Sequence, residues 1–268
     1  MRALSQADAS EFAGVKFVLT DMDDTLTFGG KLAARTYTAL EQLQRASIKV
    51  IPVTAAPAGW CDQMVRMWPV DAVIGENGAL SMLARKGGIE RNFWSGETTV
   101  DTDMQQLHVL RDLAVARLPE ARVAADQPFR LASLAFDLPM SREATGTLVE
   151  LLRANGARVA VNSLWVLAWI GDCDKLAMAR RLMREVFDLD IDTAAGSVVY
   201  VGDSANDAPM FAHFPKSVGV STVVEHLHAI AHPPTWVTVG PGGEGFVEVA
   251  EAVLSARAQS SRSTNMQS

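Results

Sequence analysis

The sequence predicts an α/β protein: a doubly wound parallel sheet with a smaller α+β domain inserted into it. Two observations predict this class. Short β-branched runs alternate with helical stretches near both ends of the chain. Between them, longer elements of alternating polarity interrupt that rhythm. The 268 residues leave room for both units, because a domain typically holds roughly 100–200 residues.

The N-terminal elements follow a strand–helix–strand order. An apolar, β-branched run predicts a strand over 15–20, followed by a helix over 32–46 and a second strand over 48–54. A further helix over 59–68 leads to a third strand over 71–74. Strands that alternate with helices in this way form parallel sheets with helices on both faces.

The inserted domain is predicted over residues 82–171. Its pattern indicates helices over 102–118 and 142–155, and strands over 130–138, 158–161 and 165–170. The first rhythm then resumes with helices over 174–187, 223–231 and 247–256, and with strands over 197–201, 217–220 and 236–239. We therefore expect a core at residues 1–81 and 172–268. The polar, serine-rich segment 258–268 is expected to be a disordered tail.

Composition limits the kinds of partner. The 31 acidic and 24 basic residues give a net charge of −7, which disfavours nucleic acid and anionic membranes as ligands. The two cysteines, Cys61 and Cys173, indicate free thiols in a reducing compartment. The sequence contains no apolar run near the ~20 residues of a membrane span and no apolar leader. We expect a cytoplasmic protein, and the oligomeric state stays open.

Acidic and polar residues cluster directly after two of the predicted strands. They are Asp21, Asp23 and Asp24 after the first strand, and Asp203, Asn206 and Asp207 after the strand over 197–201. In an open α/β sheet the ligand crevice lies at these carboxyl ends of the strands. A single aspartate there is often only a turn former or a helix cap, but two such clusters are hard to attribute to turns. Oxygen ligands of this kind suit Mg²⁺, which would attract a phosphate ester to an acidic protein.

These motifs resemble those of a known superfamily. The run Asp-Met-Asp-Asp-Thr-Leu at residues 21–26, Thr54, Lys175 and the run Gly-Asp-Ser-Ala-Asn-Asp at residues 202–207 resemble the four ordered motifs of the haloacid dehalogenase (HAD) phosphohydrolases. The sequence Glu-Asn-Gly-Ala at residues 76–79 and the position of the insertion resemble the Cof-type, or IIB, branch. That branch has a large cap and includes sugar-phosphate phosphatases. The resemblance spans nearly the whole chain and implies a Rossmann-like core.

The resemblance also implies roles for individual residues. Asp21 would be the nucleophile that forms an aspartyl-phosphate, and Asp23 would protonate the leaving oxygen and then activate water. The residues implied to hold the phosphoryl group or the substrate are Thr54, Lys175, Asn206 and Asn77. The residues implied to form a Mg²⁺ site are Asp21 and Asp203 through their carboxylates, Asp23 through its backbone carbonyl, and Asp207 in support behind them.

The expected activity is therefore Mg²⁺-dependent hydrolysis of a small phosphorylated metabolite, with a sugar phosphate as the leading class. The chain departs from the family pattern at Asp24, where glycine is usual, and at Ala55 and Ala56, where a Gly-Arg pair is usual. The missing arginine puts substrate identity in doubt more than catalysis. Two alternatives stay open: a phosphosugar mutase that resembles phosphomannomutases, and a phosphate-binding module without catalysis.

Two sets of residues in the inserted domain could contact a substrate. Trp94, Trp165 and Trp169 could stack on a sugar ring, although aromatic side chains more commonly pack in a core. The basic residues Arg85, Lys86, Arg91 and Arg130 could reach a second anionic group on the substrate. Exposure to solvent is the more common fate of such charged residues.

Overall fold

The computed structural model describes residues 1–162 and 164–265. The strands are β1 (Arg2–Ala3), β2 (Phe17–Thr20), β3 (Thr27–Phe28), β4 (Lys31–Leu32), β5 (Lys49–Pro52), β6 (Val73–Gly75), β7 (Leu80–Arg85), β8 (Gly88–Phe93), β9 (Leu134–Asp137), β10 (Arg158–Val161), β11 (Trp165–Trp169), β12 (Val198–Gly202), β13 (Ser217–Gly219) and β14 (Trp236–Val237). The helices are α1 (Ala34–Arg45), α2 (Ala58–Met67), α3 (Glu97–Arg117), α4 (Arg142–Ala154), α5 (Lys175–Phe187), α6 (Ala208–His213) and α7 (Gly242–Asn265).

A parallel sheet with helices on both faces forms the centre of the molecule. Its strand order is β1-β14-β13-β12-β2-β5, and every neighbouring pair is parallel. On one face, apolar residues of α1 and α7 such as Leu40 and Phe246 pack against the sheet. On the other face, residues of α5 and α6 such as Met178 and Phe211 do so. The predicted doubly wound α/β class is confirmed.

A three-stranded antiparallel sheet, ordered β10-β11-β9, lies in the middle of the chain. One of its faces packs on α3 and α4, where Val166 and Ala168 meet Leu107 and Leu148. Its other face is turned toward the core. There, residues of the sheet cluster with residues of the core, namely Ala135, Leu167 and Trp169 with Ala55, Ala56 and Cys61. This α+β unit covers the central sheet at its carboxyl edge, as a cap would.

The hairpin β7–β8 lies between these two units. It forms an antiparallel sheet with β6, and β6 joins the central sheet through an isolated parallel bridge between Val53 and Ile74. The division of the chain into a core and a cap at residues 82 and 171 stays a prediction.

Some elements differ in extent from the sequence prediction. The strand predicted over 130–138 covers only Leu134–Asp137, and a 3₁₀ helix, Ser221–Ala229, stands where a helix was predicted over 223–231. Helix α7 continues to Asn265, through most of the segment predicted to be a disordered tail, since a helix that is already formed extends at little cost. Residues 266–268 of that predicted tail lie outside the described residues.

Cys61 and Cys173 are buried free thiols, as predicted. In the part of the chain that the structure describes, no helix combines the length and the apolar character that crossing a membrane requires.

Candidate active site

The two acidic clusters meet because their strands are neighbours. Thr20 at the end of β2 pairs with Val201 near the end of β12, so the residues that follow, Asp21 and Asp203, leave the sheet side by side. Asp21, Asp203 and Asp207 are all buried, and each offers a carboxylate oxygen within 4.8 Å of the others. Segments far apart in the sequence thus form one acidic centre at the carboxyl edge of the sheet.

A buried lysine neutralises part of this centre. Lys175, at the start of α5 and only 1% exposed, places Nζ 3.0 Å from Oδ2 of Asp21 and 2.7 Å from Oδ1 of Asp207. Burial disfavours the charged form, but the carboxylates of Asp207 and Asp21 outweigh it and raise the pKa of Lys175 above its ordinary value. The side chain is therefore a fixed cation beside Asp21.

Both oxygens of Asp207 are occupied by protein donors. Oδ1 accepts hydrogen bonds from Lys175 and from the Tyr200 hydroxyl at 2.5 Å. Oδ2 accepts from the backbone amides of Asp203 and Ser204 at 3.0 and 3.2 Å. A Cβ at Gly202 would lie 2.5 Å from Oδ2 of Asp207, so only glycine permits this close approach. Asp207 consequently acts by positioning Lys175 and the Asp203 loop.

Asp203 and Asp21 keep more of their capacity as acceptors. Oδ1 of Asp203 accepts from the Thr25 hydroxyl at 2.9 Å, whereas Oδ2 accepts no hydrogen bond from the described residues. In the described part of the chain, Oδ1 of Asp21 accepts one hydrogen bond, from the Met22 backbone amide at 2.8 Å. These oxygens remain available to a further cation.

The charges of this centre do not balance, because three carboxylates face one lysine. Burial, opposed by Lys175 and reinforced by Asp207, raises the pKa of Asp21 to about 7. Burial, reinforced by Asp207 and Asp21, raises the pKa of Asp203 to about 9. A hard divalent cation bound to oxygen ligands fits this donor set, since it would favour the ionised form of each carboxylate.

Asp23 is half-buried and lies in the loop after β2, two residues beyond Asp21. It lines a cavity of about 390 Å³ together with Ala56, Trp60, Asp126 and Trp165. Burial, reinforced by the neighbouring Asp24, raises the pKa of the Asp23 carboxyl to about 6. This carboxyl can therefore exchange a proton near neutral pH.

Thr54 and Asn77 form the wall of the site next to β5. Thr54 is fully buried beyond the end of that strand, and its hydroxyl accepts a hydrogen bond from Ala56 N at 3.0 Å. The backbone N–H of Asn77 donates a hydrogen bond to the Thr54 carbonyl at 2.9 Å. The side-chain oxygen of Asn77 is buried and has no hydrogen-bond partner among the described residues. A Cβ at Gly78 would lie 2.2 Å from the Asp174 carbonyl, so this glycine allows the start of α5 to lie beside Asn77.

Asn206 is half-buried on the β12 side, where Oδ1 accepts a hydrogen bond from the Ser204 hydroxyl at 2.7 Å. It lines a second cavity, of about 410 Å³, together with Asn77 and Lys175. The structure thus brings every sequence-predicted site residue to one edge of the sheet. The catalytic and metal-binding roles assigned to them stay predictions.

Glu76 is a buried residue that the sequence reasoning missed. Its carboxylate accepts four hydrogen bonds at 2.6–3.0 Å. The donors are Ala58 N of the core and, from the loop before β9, Leu131 N, Ala132 N and the Ser133 hydroxyl. Glu76 therefore ties the core to the cap. No local pattern predicts this role, because the cap donors lie 55 to 57 residues further along the chain.

The interpretation of Arg130 as a surface cation is wrong. Its side chain is fully buried, donates to both oxygens of Asp126 at 3.2 and 3.1 Å and donates to the Ala55 carbonyl at 3.0 Å. Its guanidinium carbon also lies 4.9 Å from the centre of the Trp165 ring. A cap arginine thus contacts the backbone just after Thr54.

Other candidate residues of the cap are engaged within the protein. Arg85 pairs with Glu90 at 2.7 Å, and Arg91 pairs with Asp62 at 3.2 Å. Trp94 donates its indole N–H to Asp172 at 3.0 Å, and Trp169 donates to the Cys173 carbonyl at 3.0 Å. The structure therefore supports the core-packing interpretation of the buried Trp169.

No family model matches the chain, and no curated protein matches it in sequence. Solved structures do match. A Thermoplasma acidophilum protein superposes with a TM-score of 0.71 at 18% identity, covering 89% of this chain and 98% of that one. A phosphatase of the HAD superfamily from Bacteroides thetaiotaomicron gives a TM-score of 0.63 at 17% identity, covering 93% and 98%. A sugar phosphatase of HAD subclass IIB gives 0.64 at 13% identity, covering 88% and 98%.

These similarities establish the fold. The chain has the fold of the HAD phosphatases of subclass IIB, in which a doubly wound core carries an α+β cap, and the resemblance noted in the sequence extends to the whole architecture. At such low identities the likeness concerns the fold alone, so activity has to be argued from the site.

Proposed function

We propose that the protein is a Mg²⁺-dependent phosphatase that hydrolyses a small phosphate monoester, in particular a sugar phosphate, through an aspartyl-phosphate intermediate. One observation carries this proposal. The buried carboxylate of Asp21 is ion-paired with Lys175 at 3.0 Å and has an oxygen within 4.8 Å of Asp203. The fold, shared with HAD phosphatases, supports the same chemistry.

In the first step, a carboxylate oxygen of Asp21 attacks phosphorus and the bond from phosphorus to the leaving oxygen breaks. Asp23 donates its proton to that oxygen, which a carboxyl with a pKa raised to about 6 can do. Lys175 and the Thr54 hydroxyl bind the phosphoryl oxygens as negative charge develops there. The products of this step are a free alcohol and phosphorylated Asp21.

In the second step, Asp23 takes a proton from water as the water attacks the phosphorus of the intermediate. The bond from phosphorus to Asp21 breaks, which releases inorganic phosphate and regenerates the carboxylate. Asp207 keeps Lys175 in place through the 2.7 Å ion pair. The cap restricts the access of bulk water while the intermediate exists.

The residues that would hold Mg²⁺ are Asp21, Asp203 and the backbone carbonyl of Asp23, with Asp207 in support. When bound, the ion supplies positive charge that offsets the carboxylates and the phosphate. Its presence would also favour the ionised form of Asp21, which is the form that attacks phosphorus.

Two cavities adjoin the site and can each hold part of the leaving group, one lined by Lys175 and one beside Asp23. The cavity beside Asp23 favours a polyhydroxylated group. It offers the indole rings of Trp60 and Trp165 together with the polar groups of Asp23, Gln63 and Asp126. Aromatic faces beside hydrogen-bonding groups suit a sugar, which has apolar C–H surfaces and hydroxyl edges.

The test is phosphate release from an aryl phosphate and from a panel of sugar phosphates, with and without Mg²⁺. We expect release by the wild type that depends on the metal, and none by Asp21→Asn. Asp192→Asn, a matched change at an exposed aspartate paired with Arg180, should remain active. Turnover by Asp21→Asn would contradict the proposal. An isomerised sugar phosphate would indicate a mutase, and binding without release would indicate a binding module.

A further inference from the structure

We propose that Arg158 binds a second anionic group of the substrate, so that the preferred ligand is a phosphate monoester that also carries a carboxylate or a second phosphate. This inference rests on the proposed function and narrows its substrate class. Two observations support it. A cavity lies on the Lys175 side of the site, and Arg158, which lines this cavity from the cap, has no hydrogen-bond or ion-pair partner in the described part of the chain.

The cavity joins the phosphate-binding side of the site to the cap. Its volume is about 410 Å³, and the residues from the core that line it include Lys175, Asn206 and Asn77. Arg158 and Trp169 line it from the cap. This volume lies within the usual range for small-molecule sites, roughly 300–1,000 Å³. One small ligand can therefore touch both Lys175 and Arg158.

Strand pairing explains why Arg158 faces the core. Arg158 of β10 pairs with Trp169 of β11 in antiparallel register, so the two side chains project from the same face of the cap sheet. Trp169 packs in a cluster with Ala56 and Cys61 of the core. The face that carries Arg158 is consequently the one turned toward the catalytic centre.

Arg158 differs from three other arginines of the predicted cap. Arg130, Arg91 and Arg85 each pair with a carboxylate. The side chain of Arg158 makes no hydrogen bond or ion pair with any residue from 1–162 or 164–260. Its five N–H donors remain available, and a guanidinium matches a carboxylate or phosphate with two parallel hydrogen bonds.

The other charged groups of the cavity do not neutralise Arg158. Asp174 lines the cavity but forms no ion pair with Arg158 in the described part of the chain, and its Oδ1 accepts the Ala177 amide at 2.7 Å as the N-cap of α5. Lys175 is engaged by Asp21 and Asp207. Arg153, also in the lining, adds a second positive charge on the cap side. The cap wall is therefore cationic, as an anionic group would require.

Asn77 is a second, independent sign of a ligand in this cavity. The residue is 5% exposed, and its side-chain oxygen is buried without a partner among the described residues. An unsatisfied buried polar atom is costly. A hydroxyl of the substrate, lying between the phosphate and the second anionic group, would donate the missing hydrogen bond.

Binding is measured by calorimetry with Mg²⁺ in an Asp21→Asn background, which prevents turnover. The probes are two matched pairs: glycerol phosphate with phosphoglycerate, and fructose monophosphate with fructose bisphosphate. The first pair tests a carboxylate as the second group and the second pair tests a phosphate. The additional substitutions are Arg158→Ala, Arg158→Glu and, as a control, Arg117→Ala, at an exposed arginine at the end of α3.

With Arg158 present, we expect a clear preference in at least one pair. Phosphoglycerate should bind about 10- to 100-fold more tightly than glycerol phosphate, or fructose bisphosphate should exceed fructose monophosphate by the same factor. Arg158→Ala should abolish this preference, Arg158→Glu should reverse it, and Arg117→Ala should keep it. The preference should also weaken as salt is added. Equal affinity within both pairs, no binding at all, or a preference that survives Arg158→Ala would overturn the inference.

Phosphate release by the wild type separates the two proposals. Release from all four compounds without any preference in affinity would contradict the role of Arg158 and leave the phosphatase standing. A preference that depends on Arg158, without release of phosphate from any compound, would contradict the phosphatase and support the ligand site.

Discussion

The three carboxylates that meet at the ends of β2 and β12 share a single lysine. Lys175 contacts Asp21 and Asp207 directly, while Asp203 is held by Thr25 and by its own backbone hydrogen bond to Asp207. The sequence could predict these residue types at strand ends, because the motifs are local. It could not predict that the Tyr200 hydroxyl and the backbone amides of Asp203 and Ser204 donate hydrogen bonds to the Asp207 carboxylate. Those contacts depend on how the loop folds back onto the strand.

Lys175→Met tests this charge arrangement. Activity should fall at least about 100-fold, because a fixed cation is lost where the phosphoryl group gains negative charge. The free energy of unfolding should fall by about 3 kcal/mol, because buried carboxylates lose their partner. Lys86→Met, at an exposed lysine of the β7–β8 turn, serves as the control in both measurements. A phosphatase activity within about tenfold of the wild type would contradict the role assigned to Lys175.

The loop before β9 shows why element boundaries differ from the sequence prediction. Residues 130–133 have a strand-like composition, yet the amides of Leu131 and Ala132 donate to Glu76 and so are not used in a strand ladder. Arg130 in the same loop donates to the Ala55 carbonyl. The loop is consequently hydrogen-bonded to the core at two points, Glu76 and the Ala55 carbonyl, and both are distant from it in sequence.

Glu76→Gln tests this connection between core and cap. A glutamine has one acceptor oxygen and places an NH₂ group against donors, so we expect the free energy of unfolding to fall by about 2–4 kcal/mol. Urea denaturation of the wild type and of Glu76→Gln measures the difference in the free energy of unfolding. Glu150→Gln, at an exposed position of α4, should change it by less than about 0.5 kcal/mol. If the two substitutions have equal effects, Glu76 does not anchor the cap.

At the scale of the whole molecule, the proposed function requires a protein of net charge −7 to hold an anionic substrate. The acidic centre can bind an anion only if a further cation is bound there beside Lys175. The doubly wound class of the core was predictable, because hydrophobic periodicity in the sequence indicates where strands and helices alternate. The placement of Arg158 toward the core was not, since it depends on the register between β10 and β11.

Binding of Mg²⁺ should stabilise the folded protein, because the unfolded chain has no assembled site. At about 100 times the dissociation constant the stabilisation is about 2.7 kcal/mol, which corresponds to a rise in Tm of about 5 °C or more for a chain of this size. Thermal unfolding with Mg²⁺ or with a matched ionic strength of NaCl measures it. Asp203→Asn should lose the shift and Asp192→Asn should keep it. An equal shift in the Asp203 variant would place the metal elsewhere.

The central claim is that Asp21 accepts the phosphoryl group. Mass spectrometry of the protein, mixed with Mg²⁺ and a substrate from the phosphate-release panel and quenched in acid within the first turnover, tests it most directly. We predict that the peptide containing Asp21 gains the mass of one phosphoryl group, and that the gain disappears as substrate is exhausted and is absent in Asp21→Asn. Substrate turnover without phosphorylation of that peptide, or phosphorylation at another residue, would contradict the account.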